Sequence, residues 1–290
     1  MPFGTRLSLR YRLTGRALRS RLVRRLLGPN AYAVLYAADN GLLLVTLEDN
    51  TIGRKLGRHG TYAQGALAEL FALLTPEARV LVVGAHVGTL LVPLAKRVRA
   101  ACGIEANPDT FRLLRFNLLI NDVTNTTIHN VAAGDSRRTV EFLLNRSNSG
   151  GSKLRPADAH FEFVYDHPEV AVVEMAPLDE IVGDEPYDLI VMDIEGAETL
   201  ALRGMPRTLA ACRALQIEFR RDHLAKVAGV TPAEFLGAFR DYFDRAQVAG
   251  NPSGRWFRRD EFQALLDGVG DTDLLFVKDT DAPKRTSPGR

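Results

Sequence analysis

Short apolar runs that stop at a glycine or an acid alternate along this chain with stretches whose apolar residues recur every three or four positions. Arg79-Val80-Leu81-Val82-Val83 ends at Gly84, a second glycine stands at Gly88, and Leu90-Leu91-Val92-Pro93-Leu94-Ala95 follows with helical spacing. That pattern predicts a buried strand, a tight turn and a helix N-terminus. Ala100–Ile104 predicts a second strand, closed by Glu105, and Asn107-Pro108-Asp109 starts a helix running to about Asn121. Further strands are expected at Thr127–Val131, Asp188–Met192, Leu215–Ile217 and Asp273–Lys278, with a helix near residues 232–244. Thr139–Asn145 and Val170–Met175 read as strands flanking the polar stretch Asn148-Ser149-Gly150-Gly151-Ser152-Lys153, either a mobile lid or a flexible connector. Upstream, residues 31–49 alternate around Asp39-Asn40-Gly41, a hairpin signal, and Gly60-Thr61-Tyr62 precedes a helix with Leu67, Leu70, Phe71 and Leu74 on one face.

Strands alternating with helices predict an α/β fold: a doubly wound, mostly parallel, Rossmann-like sheet with helices on both faces and an N-terminal helix and hairpin extension. The expected division is an extension over 1–75 (basic helix, β-hairpin, capping helix), a main domain over 76–279, and a disordered tail over 280–290, rich in proline, serine and charge. No internal repeat is visible.

A glycine turn after one strand and an acid at the end of the next is how such a sheet holds a nucleoside: the glycines admit the ligand and the carboxylate accepts from ribose hydroxyls. The turn is G-x-x-x-G, with Ala85 and His86 where a dinucleotide pattern places its second glycine, and no lysine-serine pair follows. A nucleoside without phosphates suits it, and S-adenosylmethionine is the obvious candidate. Asp135 either reaches an adenine amino group or begins a turn. Asp193-Ile194-Glu195-Gly196-Ala197-Glu198 puts three acids at a strand's carboxyl end, the edge that faces the ligand crevice, and Glu218 and His223 follow the next strand.

Composition changes little. The chain has 290 residues, 46% hydrophobic and 25% charged, and a net charge of +2, too small to argue for nucleic acid as a general partner. Cys102 and Cys212 lie in apolar runs and read as buried thiols. No apolar run is long enough to span a membrane and the start lacks a signal-peptide core, so a cytoplasmic protein is expected. Residues 1–28 stand out: they hold eight arginines and no acid, with Leu18, Leu22 and Leu26 on one helical face. They read as a helix on an anionic membrane or partner, or as a terminal helix docked on the body; a transit peptide has a similar composition.

Val83-Gly84-Ala85-His86-Val87-Gly88, Ile104-Glu105-Ala106-Asn107-Pro108, Leu114 through Asn121, Leu178-Asp179, Asp193 through Glu198 and Ile217-Glu218 together resemble the FkbM-type family of class I S-adenosylmethionine-dependent methyltransferases, over roughly residues 60–220. The resemblance implies methyl transfer, commonly to a hydroxyl of a sugar, polyketide or related small molecule. Three positions depart from the family pattern: Val82 replaces an acid, His86 an asparagine and Val191 a lysine. The first removes a typical contact to the methionine amino group, so weaker cofactor binding or a contact from another acid is expected.

The residues expected to bind cofactor are Gly84, Ala85, His86, Gly88, Glu105, Ala106, Asp135 and Asp193. Those expected at the chemistry are His223, as proton acceptor, with Asp193 and Glu195; Glu218, Ser152 and Tyr62 are assigned to substrate. No metal ligands are assigned. Asp193, Glu195 and Glu218 would suit a divalent ion such as magnesium, but binding substrate or capping the following helix is preferred. The expected acceptor is a small-molecule or glycan hydroxyl. Nucleic acid is not expected, because the [Asp/Asn]-Pro-Pro-aromatic turn of amino-methyltransferases is missing and the acids would repel phosphates. A catalytically silent cofactor-binding or scaffold protein, or an N-methyltransferase, are the alternatives. The sequence does not determine the oligomeric state.

Overall fold

The computed structural model describes residues 3–158, 160–251 and 254–279, with side chains from Ser8 onward. The tail expected over 280–290 lies outside them. The chain opens with α1 (Phe3–Leu27), the hairpin β1 (Ala33–Ala38) and β2 (Gly41–Thr46), then α2 (Ile52–His59) and α3 (Gln64–Ala72). The α/β body follows as β3 (Arg79–Val83), α4 (Leu91–Ala95), β4 (Ala100–Ile104), α5 (Pro108–Ile120) and β5 (Thr126–His129). Next come β6 (Ala132–Ala133), β7 (Arg138–Leu144), β8 (Lys153–Leu154), α6 (Phe161–Val164) and β9 (Glu169–Ala176). The last third holds β10 (Leu189–Met192), α7 (Glu198–Arg203), α8 (Pro206–Ala211), β11 (Ala214–Phe219), α9 (Arg221–His223), α10 (Pro232–Gly237), β12 (Arg245–Val248), β13 (Phe257–Arg258), α11 (Phe262–Gly268) and β14 (Thr272–Val277).

The main sheet has the order β13-β12-β14-β11-β10-β3-β4-β5. Its β11-β10-β3-β4-β5 stretch is parallel, as expected, and β14, β12 and β13 extend it antiparallel. Both faces are covered, so alternate residues of β3 go to different cores: Leu81 and Val83 to one, Val80 and Val82 to the other. β7 and β9 pair antiparallel and, with β6 and β8, form a separate four-stranded sheet.

Three sequence expectations change. The helix expected near 232–244 stops at Gly237, and residues 245–248 form β12 instead. Phe235, Phe239 and Phe243 recur at helical spacing, yet all are buried in the aromatic cluster around Phe276, which the chain reaches by unwinding after the first of them. α2 was not expected; Asp49 nucleates it by accepting hydrogen bonds from the amides of Thr51, Ile52 and Gly53. On α1, the leucines at 18, 22 and 26 do not dock. Leu13, Ala17 and Ser20 face the body, with Ser20 Oγ donating to Glu48 O at 2.6 Å.

α5 closes the open edge of the hairpin. Leu44 N donates to Asn117 Oδ1 and Asn117 Nδ2 donates back to Leu44 O; one turn later Asn121 repeats the exchange with Leu42. Two asparagines thus stand in for a neighbouring strand. No helix among the described residues is long and apolar enough to cross a membrane.

Candidate active site

β3 delivers the glycine turn to the carboxyl edge of the sheet. The amides of Gly84 and Ala85 both donate to Ile104 O at 2.9 Å, and Gly84 takes φ +88°. A Cβ on Gly84 would collide with the carbonyl oxygen of Asp193, so this glycine lets the ends of β3 and β10 meet. Gly88 (φ +92°) serves packing instead: a Cβ there would lie 2.9 Å from Leu114 Cδ1 and 3.0 Å from Val92 Cγ2.

A cavity opens beyond this turn. Its walls include Gly84, His86, Glu105, Ala106, Ser152 and Asp193, with Val131, Phe142, Leu154 and Ile194 giving an apolar side. Ala85 lies buried behind the wall. Glu105 is buried at its edge. Its Oε2 accepts from His86 N at 2.7 Å, and its Oε1 from Asn107 N at 2.8 Å and Thr110 Oγ1 at 2.9 Å. Burial raises its pKa and these bonds pull part of the way back. One of its roughly four acceptor positions, on Oε2, remains.

His86 sits in the left-handed region (φ +49°) with Nε2 2.7 Å from Ser149 Oγ. Ser149 Oγ donates to Asp49 Oδ2 at 2.6 Å, so it must accept from an Nε2–H, which fixes the tautomer. Burial drops the imidazole pKa to about 4, and the ring is neutral at pH 7. Asp49, which caps α2, thereby also holds Ser149 beside the cavity. Ser147 N and Oγ donate to Asp166, and Ser152 Oγ accepts from Asn145 N and donates to Ser149 O. Residues 145–153 are tied down along their length, which fits neither a loose lid nor a flexible connector. Ser152 faces the cavity, but these bonds and one from Asn107 Nδ2 occupy its hydroxyl.

Asp135 lies apart from the cavity. It is exposed in the turn between β6 and β7, bonded to Arg138 and Ser136, which favours its turn-forming reading. Tyr62 is half-buried. The Asn40 side chain of the hairpin turn holds its backbone N and O at 2.9 Å each and reaches Thr89 O at 2.8 Å. Burial, then the charge of Asp193, pushes the Tyr62 phenol well up.

The acids after β10 divide their work. Glu198 is buried and accepts from Ile194 N and Gly196 N, so it organises the turn; burial lifts its pKa to about 6. Asp193 borders the cavity with its side chain exposed; crowding by the walls and then the charges of Glu195, Glu198 and Asp273 still push its pKa upward. Glu218 is driven the same way, to about 11, by burial and then by Asp193 and Glu195. Glu195 goes in the opposite direction. Burial alone would raise it, but Lys153 Nζ at 3.1 Å, His223 Nδ1 at 2.9 Å and Arg220 Nη1 at 3.6 Å surround its Oε2 and hold it well below the usual range. His223 is pushed below its usual value by burial, and by Lys153 and Arg220, against the pull of Glu195. It stands behind the cavity wall, edge-on to Phe163 at 5.2 Å, with Nδ1 close to Glu195 but off the hydrogen-bond axis.

Glu195, Glu218 and His223 bring three ligand-type atoms within 4.8 Å of one another, a different trio from the one read in the sequence. A divalent ion there would sit against the ammonium of Lys153 and the guanidinium of Arg220, so the residues present do not fit a metal. Lys153, Arg220 and Asp49 were not assigned from sequence. Lys153 lies in a polar stretch, between Ser152 and Leu154-Arg155, that carries no sequence signal of its burial.

No curated protein matches the sequence significantly. Among solved structures, methyltransferase FkbM of Methylobacillus flagellatus KT is 20% identical, over 70% of this chain and 44% of that chain, at a TM-score of 0.42. This chain therefore spans less than half of that protein's length. A TehB-like SAM-dependent methyltransferase of Corynebacterium glutamicum is 15% identical over 78% and 94% of the two chains, at 0.43. The tRNA (uracil-54, C5)-methyltransferase of Pyrococcus abyssi, in complex with S-adenosyl-L-homocysteine, is 12% identical over 84% and 44%, at 0.42. The profile of the methyltransferase FkbM domain matches residues 83–248, more than half of the sequence, and the chain belongs to that family.

Proposed function

We propose that this protein is an S-adenosylmethionine-dependent methyltransferase that methylates a hydroxyl of a small molecule or sugar. One observation carries the reading: the cavity between the glycine turn and Glu105 has an apolar side, one open acceptor position on Glu105, and the exposed acid Asp193 on its wall. Those features match an adenine ring, a ribose hydroxyl and a cationic group. When bound, the cofactor supplies a methyl group made electrophilic by its sulfonium.

The chain's own residues supply the rest. Glu105 anchors the ribose. Asp193, beside Gly84, takes the ammonium contact that Val82 cannot make, since Val82 is buried in the core on the far side of β3. Glu195 Oε2 stands 2.9 Å from Nδ1 of His223 and needs only a small turn of the ring to accept from it, which would make Nε2 the lone-pair acceptor for the hydroxyl proton. Tyr62 and Glu218, which do not border the cavity, would meet the acceptor rather than the cofactor. The reading is tested by calorimetry with S-adenosylmethionine, followed by a methylation screen over hydroxylated metabolites and glycans read by mass spectrometry. Cofactor binding without turnover on any acceptor would instead favour a silent binding protein.

Two further outcomes are expected. Glu105→Gln keeps one acceptor and should weaken cofactor binding by about 1.5–3 kcal/mol, the range for a hydrogen bond to a charged group; unchanged affinity removes Glu105 from the ribose site. Burial, then Asp193 and Glu195, pushes the Glu218 carboxyl up from the ordinary 4.5 to about 11, against the pull of Arg220 Nη1 at 3.8 Å from its Oε1. The folded state thus binds a proton that the unfolded chain has released, and stability falls as pH rises from about 4.5 towards 11. Glu218→Gln should therefore raise the Tm of the free protein at pH 8 and flatten the fall of stability with rising pH. Binding of the cationic cofactor should release protons at that pH, which calorimetry in buffers of different ionisation enthalpy detects. A variant with unchanged Tm and unchanged proton release contradicts the assignment.

A further inference from the structure

α1 is apolar on two sides. The side carrying Leu13 and Ala17 packs on the body. On the other, Tyr11, Leu18, Leu22 and Leu26 are 73%, 66%, 54% and 74% exposed. At about 100° per residue these four fall within an arc of roughly 80°. Arg12 and Arg19 border the arc on one side, and Arg21 and Arg25 on the other, all exposed; Arg10, on that second side, lies over the Phe161 ring of the body at 4.8 Å. Among the described residues no carboxylate forms an ion pair with any of them, and no acid precedes Asp39 in the chain. An apolar stripe with arginines along both flanks matches a helix lying in the plane of a membrane interface, where the stripe enters the acyl boundary and the long side chains reach back to lipid phosphates.

We propose that α1 seats the protein flat on an anionic lipid surface, through Tyr11, Leu18, Leu22 and Leu26 and the arginines beside them. The proposal does not depend on the catalytic reading. A second copy of the chain fits less well, because two-fold pairing of this face would set arginine flank against arginine flank. A nucleic acid would use the arginines and leave the leucines in water.

The test is co-sedimentation of the full chain with phosphatidylcholine vesicles, with and without about one third phosphatidylglycerol, at near-physiological salt. Binding is expected only to the anionic vesicles. Leu18→Ser/Leu22→Ser/Leu26→Ser alters exposed positions and should keep the circular dichroism and Tm, yet lower partitioning roughly tenfold or more. Arg12→Gln/Arg19→Gln/Arg21→Gln/Arg25→Gln should do the same, as each basic residue contributes roughly fivefold near an anionic surface. Failure to bind anionic vesicles overturns the proposal. So does binding that the serine variant retains, which is mere electrostatic adsorption. A vesicle-independent dimer seen by light scattering and dissolved by the serine variant would assign the stripe to a second copy. Tight binding to a short RNA by a chain that ignores vesicles would assign the flanks to nucleic acid.

Discussion

Gly84→Ala is expected to destabilise the protein by roughly 2–5 kcal/mol and to abolish cofactor binding. Two costs add. A left-handed backbone at φ +88° costs an alanine about 1–2 kcal/mol more than a glycine. The new Cβ also runs into the carbonyl oxygen of Asp193, a main-chain atom that no rotamer change can move aside. Relief requires β10 to draw away from β3, and the parallel pairing Val83↔Met192 resists that; overpacking of this kind costs about 1–3 kcal/mol. The same displacement carries Asp193 from the cavity, so affinity and stability should fall together. Gly88→Ala is the control: its Cβ meets the flexible ends of Leu114 and Val92, and only its φ is strained by backbone. Urea unfolding and calorimetry decide the matter, and a Gly84→Ala protein as stable as its parent would contradict the close approach.

The second large effect concerns His223. If it takes the hydroxyl proton, His223→Ala should lower kcat by about 10²–10⁴ with little change in cofactor affinity, because the ring does not line the cavity. The pH profile separates this from a packing role. Burial, with Lys153 and Arg220, holds the imidazole below its ordinary value, so the neutral base persists to lower pH and the acid limb of kcat should lie below about 6.5. Lys153→Met removes one of the charges that depress it and should move that limb to higher pH. The same change takes the ammonium from Glu195, and loss of one partner of a buried pair costs about 3–5 kcal/mol when nothing replaces it. Arg220 and His223 remain at the carboxylate, so a smaller loss is expected here. Normal turnover by a folded His223→Ala variant would pass the proton to Asp193, Glu195 or water.

What the sequence reveals follows from range. The β3 strand, its glycine turn and the acid ending β4 lie within the 27 residues from Arg79 to Glu105, and a doubly covered parallel strand advertises itself as an unbroken apolar run. The same locality exposes Asn107 as the cap of α5 and Asn40 as a hairpin turn. The ring of charge around Glu195 has no such signature, because Lys153 arrives from β8, His223 from α9 and Arg220 from the end of β11. Asp49 escaped notice because its partner Ser149 is a hundred residues away. Periodicity misled at one place and was silent at another. The phenylalanines at 235, 239 and 243 mimic a continuous helix, and the leucines at 18, 22 and 26 mark a face of α1 without telling which face docks.

The bond from Ser149 to Asp49 has a bearing on how the chain comes into being. Asp49 caps α2, the hairpin edge waits for Asn117 and Asn121, and His86 takes its place against Ser149. A chain emerging from the ribosome makes the hairpin and α2 early, since Asp49 Oδ1 caps α2 locally, but the hairpin edge and the bond to Ser149 wait for residues synthesised much later. Closing contacts of that span is entropically costly and belongs late in folding. The ligand cavity is therefore among the last things this molecule makes, and a chain arrested before residue 149 would carry the glycine turn without a finished place for anything to bind.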